Sequence, residues 1–356
     1  MWTALAAALL FGLSTPFAKG LLAGASPQML AGLFYLGSGL GLGLVWLAPV
    51  PWARRFARGQ APLGRADVPW LAGATLLGGV VGPFLLLWGL QRTAASTASL
   101  LLNLEGAFTA MVAWFVFREN VDRRIAAGMA LIVVGGAVLS WQGDIAWTGM
   151  AGPLAVAGAC LCWAVDNNLT QRVSAADPVR IAAVKGLVAG SVNTGFALAL
   201  GGGRLGAGVV AGAMVVGLAS YGASLVLYVR ALRELGTART GAYFSLAPFV
   251  GAAASVLWWR EPVTAALAVA GALMGAGAWL HLSERHDHLH VHEPLEHAHA
   301  HIHDAHHRDD HRSEDPAGEP QTHVHRHAPL AHRHAHYPDI HHRHAHTPEP
   351  AAGNRG

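Results

Sequence analysis

From the first residue to Leu282, the chain alternates between long apolar segments and short polar connections. The apolar segments are roughly 20 residues long, which is the length that a helix needs to cross the hydrocarbon layer of a membrane. Lipid offers backbone amides no hydrogen-bond partner, so segments of this kind must be helical. We predict an all-α membrane protein with ten spanning helices, called spans 1 to 10 below. They cover residues 3–22, 28–48, 69–90, 95–116, 124–141, 149–170, 180–200, 208–229, 238–258 and 264–282.

Arginines lie mainly in every second connection. They cluster in the loops after spans 2, 4, 6 and 8, where Arg54, Arg118, Arg172 and Arg230 are examples. Basic residues near spans tend to stay on the cytoplasmic side. We therefore expect these loops and both termini in the cytoplasm of a bacterial-type inner membrane. The first segment has no basic region before it, so we interpret it as a retained helix rather than a cleaved signal.

An internal repeat relates the two halves of this region. LLLNLEGAFTAMVAWFVFREN at 100–120 aligns with FSLAPFVGAAASVLWWREP at 244–262 at a fixed offset, called the repeat offset, which places Arg118 on Arg260. Five spans per half is an odd number, so the halves must face opposite ways across the membrane. Inverted repeats of this kind are common in secondary transporters, whose substrate site lies near the midplane between the halves. We predict five-helix repeats at 1–141 and 142–282.

Several motifs resemble those of one transporter family. They are FGLSTPFAK at 11–19, WGLQRTAASTASLLLNLEG at 88–106, the FRE that ends span 4, and YVRALRELGTARTGAYFSLAPFVGA at 228–252. Through them, residues 1–282 resemble the EamA-type transporters of the drug/metabolite transporter superfamily. The resemblance implies ten helices around a central cavity and transport by alternating access. It leaves the substrate open, because such relatives export amino acids, drugs, sugars and other solutes.

Ionisable side chains inside spans are costly in lipid and therefore mark candidate functional positions. Glu105 lies near the middle of span 4, and the pair Glu105-Gly106 stands where the family's repeat usually has a proline. Because burial disfavours a charged carboxylate, Glu105 is either a proton carrier or a hydrogen-bonded structural acid. Asp166 lies near the cytoplasmic end of span 6. It is a structural partner of Lys185 or Arg172, a binding group for substrate or a coupling proton, or a helix cap.

The other candidates are amides, small polar residues, aromatics and prolines. Asn167 and Asn168 either join helices by hydrogen bonds or bind substrate. Prolines remove a backbone hydrogen bond and can act as hinges; the hinge candidates are Pro16 and Pro248. The Arg-Glu pairs at residues 118–119 and 260–261 are expected to cap helix ends. The remaining candidates for a substrate or proton pathway are Ser14, Lys19, Asn103, Trp163, Lys185, Tyr228 and Tyr243.

Residues 283–356 form a tail of different composition. All 22 histidines of the chain lie at or after His281, and many recur at every second position among Asp, Glu, Pro and Arg. Such a sequence cannot bury a core, so we predict a disordered cytoplasmic tail. Imidazole is a ligand for Zn, Ni, Co and Cu. The candidate metal ligands are His286, His288, His290, His292, His297, His299, His301, His303, His323, His325, His327, His332, His334, His336, His341, His342, His344 and His346.

The tail has three open interpretations. It is a low-complexity extension or pH-sensitive charged segment without a metal role, a cytoplasmic buffer that feeds or regulates metal transport, or a contact surface for lipid or protein. A divalent-metal exporter is thus one alternative for the whole chain. A metal-responsive membrane protein that transports nothing is another.

Enzyme motifs are absent from the sequence. It contains no Walker A loop, no H-E-x-x-H and no G-x-S-x-G. We therefore predict a transporter rather than an enzyme, with no required cofactor. The expected partners are the lipid bilayer and a small-molecule substrate, with divalent metal ions at the tail and no nucleic acid. The spans fit a monomer as well as a dimer. The first hypothesis is a proton-exchanging exporter of a small organic metabolite or drug.

Overall fold

The structure of the chain is a computed structural model. It describes residues 1–47, 64–116, 123–141, 147–171, 173, 177–202, 205–228, 230–231 and 243–282, together with tail segments 287–292, 295–301, 321–327 and 330–335. The part described up to residue 282 is helical and contains no strand.

The first half begins with a helix that is interrupted near its middle. Pro16 has no N–H to donate to the carbonyl of Gly12, and the chain turns at Leu13 between two short helices. The elements of this half are α1 (Trp2–Gly12), α2 (Ser14–Leu21), α3 (Pro27–Leu47), a 3-10 turn (Arg65–Asp67), α4 (Val68–Ala74), a first π-helical segment (Thr75–Val81), α5 (Gly82–Arg92), α6 (Ala95–Leu101), α7 (Leu104–Phe115) and α8 (Arg123–Ser140).

The second half ends in two short apolar helices. Pro248 lies in the first turn of one of them, where a missing N–H costs no intrahelical bond. The elements are α9 (Trp147–Gln171), α10 (Pro178–Ala199), α11 (Ala207–Val216), a second π-helical segment (Gly217–Ala223), α12 (Ala247–Trp259) and α13 (Ala265–Leu282).

Seven helices in the described residues are long and apolar enough to cross a membrane, by length and composition. Predicted span 4 is divided into α6 and α7 by a turn at 102–103. Predicted spans 9 and 10 correspond to shorter apolar helices, Ala247–Trp259 and Ala265–Leu280. The remaining seven predictions match Trp2–Leu21, Pro27–Val45, Arg65–Arg92, Arg123–Ser140, Gly149–Thr170, Val179–Ala199 and Ala207–Tyr228. The count of ten therefore stays a prediction.

The two π-helical segments occupy equivalent places in the halves. Thr75–Val81 and Gly217–Ala223 are separated by the same repeat offset that relates the sequence motifs. Arg123–Ser140 and Ala265–Leu282 are also separated by this offset. The internal repeat in the sequence is thus accompanied by helix boundaries that recur at the same offset.

Several helix pairs run antiparallel. Gly32 of α3 lies against Thr194 of α10, and Gly39 lies against Leu187 further back along α10. Glycine lets the two backbones approach closely here, because a Cβ on Gly39 would stand 2.5 Å from the Leu187 nitrogen. This is the small-residue packing that brings membrane helices together.

The long helix α9 also runs antiparallel to α4 and α5. Gly73 lies against Leu169 near the end of α9, whereas Gly89 lies against Val156 near its start. Lys19, at the end of α2, contacts carbonyl groups at the end of α5. The ends of α2 and α5 therefore lie together, so α1 and α2 run in the same direction as α5. Since α9 is antiparallel to α5, it is also antiparallel to α1 and α2.

Two other pairs are parallel. Cys160 of α9 donates to the carbonyl of Leu101, and Asn168, further along α9, donates to the carbonyl of Thr109, further along the α6–α7 pair. In the other half, α1 and α2 lie along α12 in the same sense, with Gly20 against Trp259. Helix α9 thus packs parallel to α6 and α7, and α1 and α2 pack parallel to α12.

The tail differs from the predicted disorder in its described segments. β1 (Asp287–His292) pairs antiparallel with β4 (Leu330–Ala335), and β2 (Leu295–His301) pairs with β3 (Gln321–His327). The physical reason is the period-two pattern of histidines, which matches the side-chain period of a strand. Isolated two-stranded ribbons are at best marginally stable in water. The predicted ligands His286, His303, His336, His341, His342, His344 and His346 lie outside the described residues.

Candidate functional site

A buried ion pair joins α9 to α10. The Lys185 ammonium donates to both carboxylate oxygens of Asp166, at 2.6 and 2.8 Å. The two side chains are 14% and 11% exposed. The Thr170 hydroxyl, one turn along α9, donates to the same carboxylate at 2.9 Å. Of the two partners predicted for Asp166, Lys185 is the one observed; Arg172 lies outside the described residues.

Room for this ion pair comes from Gly78 in the first π-helical segment. A Cβ at this position would overlap Oδ2 and Cγ of Asp166 and would lie 2.7 Å from its Cβ. The Gly78 carbonyl accepts two hydrogen bonds, from the Tyr35 hydroxyl at 2.7 Å and from the Trp163 indole at 2.9 Å. A π-helical turn departs from the regular helical hydrogen-bond pattern and is frequent at functional sites. Gly78 thus connects α3, α9 and the ion pair.

The Glu105 side chain lies in the first turn of α7, half-buried, two residues after the turn that separates α6 from α7. Asn167 donates to Glu105 Oε1 at 2.9 Å and approaches the Thr109 hydroxyl at 3.4 Å. Asn168, which is buried, donates to the Thr109 carbonyl at 3.3 Å and to the Ala164 carbonyl at 2.8 Å. We call Glu105, Thr109, Asn167 and Asn168 the central polar cluster. Both amides take part in bonds between helices.

Aromatic rings from both halves lie beside this cluster. Tyr221 of the second π-helical segment is 5.5 Å from Tyr35 and 6.1 Å from Phe11, centroid to centroid. Phe244 is 5.5 Å from Phe11 and 4.8 Å from Tyr228. We call these five residues the ring cluster.

Glu105 lies within electrostatic range of three members of the ring cluster, Tyr35, Tyr221 and Tyr228. Trp163 lies one turn before Asn167 on α9, so the two share a face of that helix. Asn167 contacts Glu105 and Trp163 contacts the carbonyl that also binds Tyr35. The central polar cluster and the ring cluster therefore form one site between the halves.

A second polar cluster lies at the far end of the same helices. The Lys19 ammonium donates to the carbonyl groups of Leu90 and Thr93, the latter at 2.8 Å. The Glu261 carboxylate accepts from the backbone N–H groups of Ala95 and Ser96 at 2.7 and 2.8 Å. Glu261 thus caps α6, as predicted for this motif, whereas the motif at 118–119 lies outside the described residues.

The distance between the central polar cluster and the second polar cluster can be estimated along the first π-helical segment and α5. Leu90 lies twelve residues after Gly78, which corresponds to about 18 Å at a rise of ~1.5 Å per residue. Lys19 is therefore distant from Asp166 and from the central polar cluster. The structure assigns it to the packing of helix ends.

The other predicted residues are placed as follows. Asn103 is buried in the turn between α6 and α7, where its amide donates to the Leu100 carbonyl at 2.9 Å and to the Met274 sulfur of α13 at 4.0 Å. Ser14 is buried at the start of α2. The Tyr243 carbonyl accepts from the Leu246 N–H at 3.3 Å, beside the turn that precedes α12.

The hinge candidates both adjoin helix interruptions. Pro16 follows the turn at Leu13, and its carbonyl accepts from the Trp259 indole at 3.2 Å. Pro248 follows the turn at 245–246. Both prolines thus lie next to observed helix interruptions, while their role as hinges stays a prediction.

Sequence reasoning missed Gly78, Tyr35, Thr109 and Thr170. A glycine pair within span 3 is a signal of close backbone approach, but the sequence does not show which helix approaches. In the described part of the chain, no three His, Cys, Asp or Glu residues are grouped so that they could hold a metal ion together.

Comparisons with known proteins place these observations in context. The EamA-like transporter family matches residues 1–141 and 150–283. A protein of Methanothermobacter thermautotrophicus named "Uncharacterized transporter" is 29% identical over 285 residues, which cover 77% of this chain and 83% of that protein. A probable 4-amino-4-deoxy-L-arabinose-phosphoundecaprenol flippase subunit ArnE of Pseudomonas paraeruginosa is 41% identical over 105 residues, 30% of this chain and 89% of that subunit. A protein of known crystal structure is 19% identical in sequence, and its structure superposes with a TM-score of 0.57 over 79% of this chain and 96% of its own chain. This similarity shows the fold alone.

Proposed function

Because the chain belongs to the EamA-like transporter family, we propose that it is a secondary active transporter that exports a small organic metabolite or drug by alternating access, in exchange for protons. The observation that carries this proposal is the site between the halves, where Asn167 of α9 holds the Glu105 carboxyl and Trp163, one turn earlier on α9, shares the Gly78 carbonyl with Tyr35 of the ring cluster. The aromatic side chains of the ring cluster offer the apolar contact surface that sites for organic solutes commonly have. A carboxyl inside a membrane protein is suited to proton relay.

The proposed architecture is ten spans in two inverted five-helix repeats. Three observations support it: the helix boundaries that recur at the repeat offset, the family match in two segments, and the opposite directions of α1–α2 and α9. In inverted repeats, one half can rock against the other around a fixed central site. The site between the halves has the position that such a motion requires.

Proton exchange would use Glu105 as the carrier. Its carboxyl is held by one hydrogen bond from Asn167 and stands beside no basic side chain in the described part of the chain. Asp166 differs, because Lys185 binds both of its oxygens. We therefore assign Asp166 a structural role and Glu105 the titrating role.

The test is an untargeted comparison of exported metabolites. Cells that lack the gene receive the intact chain, the Glu105→Gln variant or an empty vector, and the growth medium and retained solutes are compared together with tolerance to a panel of organic drugs. We expect solutes or drugs whose export depends on the intact chain. Identical profiles and tolerance in the three strains, with the protein present in the membrane, would overturn the proposal.

The orientation has its own test. We propose that both termini lie in the cytoplasm of an inner membrane, from the distribution of arginines. A reporter that is fluorescent only in the cytoplasm, fused after Leu282, should be bright. A dark fusion with normal expression, together with activity of a periplasmic reporter at the same point, would reverse the orientation.

A further inference from the structure

The strands of the tail place histidines directly opposite other histidines. Two histidines of β1 stand opposite histidines of β4, and two of β2 stand opposite histidines of β3. The opposite positions are His288 with His334, His290 with His332, His297 with His325, and His299 with His323. We call these four sets the histidine pairs. Their members are far apart in sequence, and the strand register alone brings them together.

The two strand pairs share a single register. The chain advances nine residues from His288 to His297, and their partners go back nine residues from His334 to His325. The same register therefore serves β1–β4 and β2–β3, as along one long hairpin. A single shift in this register would separate all four histidine pairs.

Histidines occupy alternate positions of these strands and are absent from the positions between. Val291 stands opposite Ala331 at one such intervening position, and Glu296 stands opposite Arg326 at another. Opposite charges at directly opposite positions favour strand pairing. Because successive residues of a strand alternate between its two sides, each strand pair carries its histidines on one side.

Directly opposite positions of an antiparallel pair suit a shared metal ion. Their Cβ atoms lie about 4.5–5.5 Å apart, which allows two imidazole nitrogens to reach one ion at about 2.0–2.1 Å each. Imidazole is a good ligand for Zn²⁺, Ni²⁺ and Cu²⁺, whereas Mg²⁺ and Ca²⁺ prefer oxygen. The described part of the chain has no group of three or more such ligands. Each pair would therefore supply two ligands to an ion, and water the others.

A shared ion would also stabilise the pairing of the strands. A two-stranded ribbon is at best marginally stable in water, and the composition of the tail indicates disorder. An ion that binds the paired strands more tightly than the open chain shifts the equilibrium toward pairing. Metal binding thus connects the disorder expected from composition with the strands in the structure.

We infer that the tail is a metal-closed ribbon, in which each histidine pair binds one Zn²⁺, Ni²⁺ or Cu²⁺ ion and thereby holds the two strands together. Binding of this kind needs particular partners at particular positions, unlike the loose binding that any histidine-rich segment shows. The histidine pairs lie outside the membrane part, so the inference does not depend on the proposed export function.

The experiment compares the purified full chain in lipid nanodiscs with two variants, with Zn²⁺ as the probe ion. The exchange variant keeps all 22 histidines but moves four of them by one position, so that no histidine of β1 to β4 stands opposite another. Its changes are Leu289→His with His290→Leu, Ala298→His with His299→Ala, His325→Arg with Arg326→His, and His334→Ala with Ala335→His.

The control variant makes four exchanges of the same kind outside the strands. Its changes are Ala305→His with His306→Ala, Asp310→His with His311→Asp, Ile340→His with His341→Ile, and Ala345→His with His346→Ala. We expect calorimetry to show equal Zn²⁺ affinity for the intact chain and the control variant. The exchange variant should bind at least about tenfold more weakly, because a second ligand held beside the first raises the effective concentration.

Closure of the ribbon is measured separately with nitroxide spin labels. The labels are attached to Val291→Cys and Ala331→Cys, which stand opposite each other between histidine pairs, in a chain that also carries Cys160→Ala and Cys162→Ala. Zn²⁺ should bring the two labels close enough to broaden their spectra, and EDTA should reverse the change. The exchange variant with the same labels should not respond to Zn²⁺.

Two results would overturn the inference. One is equal Zn²⁺ affinity of the exchange variant and the intact chain, because histidines without fixed partners would then account for the binding. The other is a label separation in the intact chain that Zn²⁺ leaves unchanged. Neither result bears on the export of organic solutes, so failure of this inference is distinct from failure of the proposed function.

Discussion

Replacing Gly78 with alanine should disrupt the ion pair between Asp166 and Lys185. The added Cβ would overlap the Asp166 carboxyl group, so either the helices separate or the carboxylate moves away from the Lys185 ammonium. Breaking a buried ion pair costs about 3–5 kcal/mol. Alanine itself favours a helix over glycine by about 0.5–1 kcal/mol. The expected net loss is therefore about 2–4.5 kcal/mol.

The control is Gly195→Ala on α10, where the added Cβ would meet nothing within 4 Å. Thermal unfolding of the purified variants in detergent, followed by tryptophan fluorescence, should show a melting temperature lower by roughly 5–10 °C for Gly78→Ala. Gly195→Ala should be unchanged or slightly more stable. If the clash is the cause, Gly78→Ala should cost less when Asp166→Ala and Lys185→Met are already present. Equal melting temperatures for the two glycine variants would refute the reasoning.

Three further predictions concern the same ion pair, the cap of α6 and the tail. Asp166→Asn should reduce the amount of folded protein in the membrane, and adding Lys185→Gln should restore part of it, because the second change removes an unpaired buried charge; absence of rescue in a size-exclusion assay would contradict a structural ion pair. Glu261→Ala removes a helix cap and should lower stability by about 0.5–2 kcal/mol, measured by melting temperature, whereas an unchanged value would show that the cap contributes nothing. Deleting residues 286–356 should abolish retention of the chain on immobilised nickel and leave export of organic solutes intact; loss of metal tolerance on deletion, tested across nickel, cobalt, zinc and copper, would favour the metal-export alternative.

Much of the fold could be predicted because its signals are local in sequence. The length of an apolar segment reports a spanning helix, and Pro16 reports an interruption, so seven spans and the break near Leu13 follow from the letters alone. The repeat offset was visible for the same reason. The sequence predicts no strands in the tail, because a composition that cannot bury a core indicates disorder even where the histidines recur with the period of a strand.

The site was harder to predict than the fold. Glu105 and Asp166 were identified by their charge, but their different environments depend on which helix faces each of them. Lys185 reaches Asp166 only because Gly78 provides room on a third helix, and the sequence does not record that contact. The tyrosines near Glu105 come from separate spans, so their convergence required the packing of the two halves.

The most direct test of the account is the effect of Glu105→Gln on export at two external pH values, in cells that carry either the intact chain or the variant at equal levels. The titratable groups around Glu105 are Asp166, Cys160 and the tyrosines of the ring cluster, and only Glu105 is assigned to proton exchange. For the intact chain, we predict export that increases as the medium is made more acidic, because the inward proton gradient grows. The variant should lose this dependence on pH. Export by Glu105→Gln at the same rate and with the same pH dependence as the intact chain would contradict the central claim.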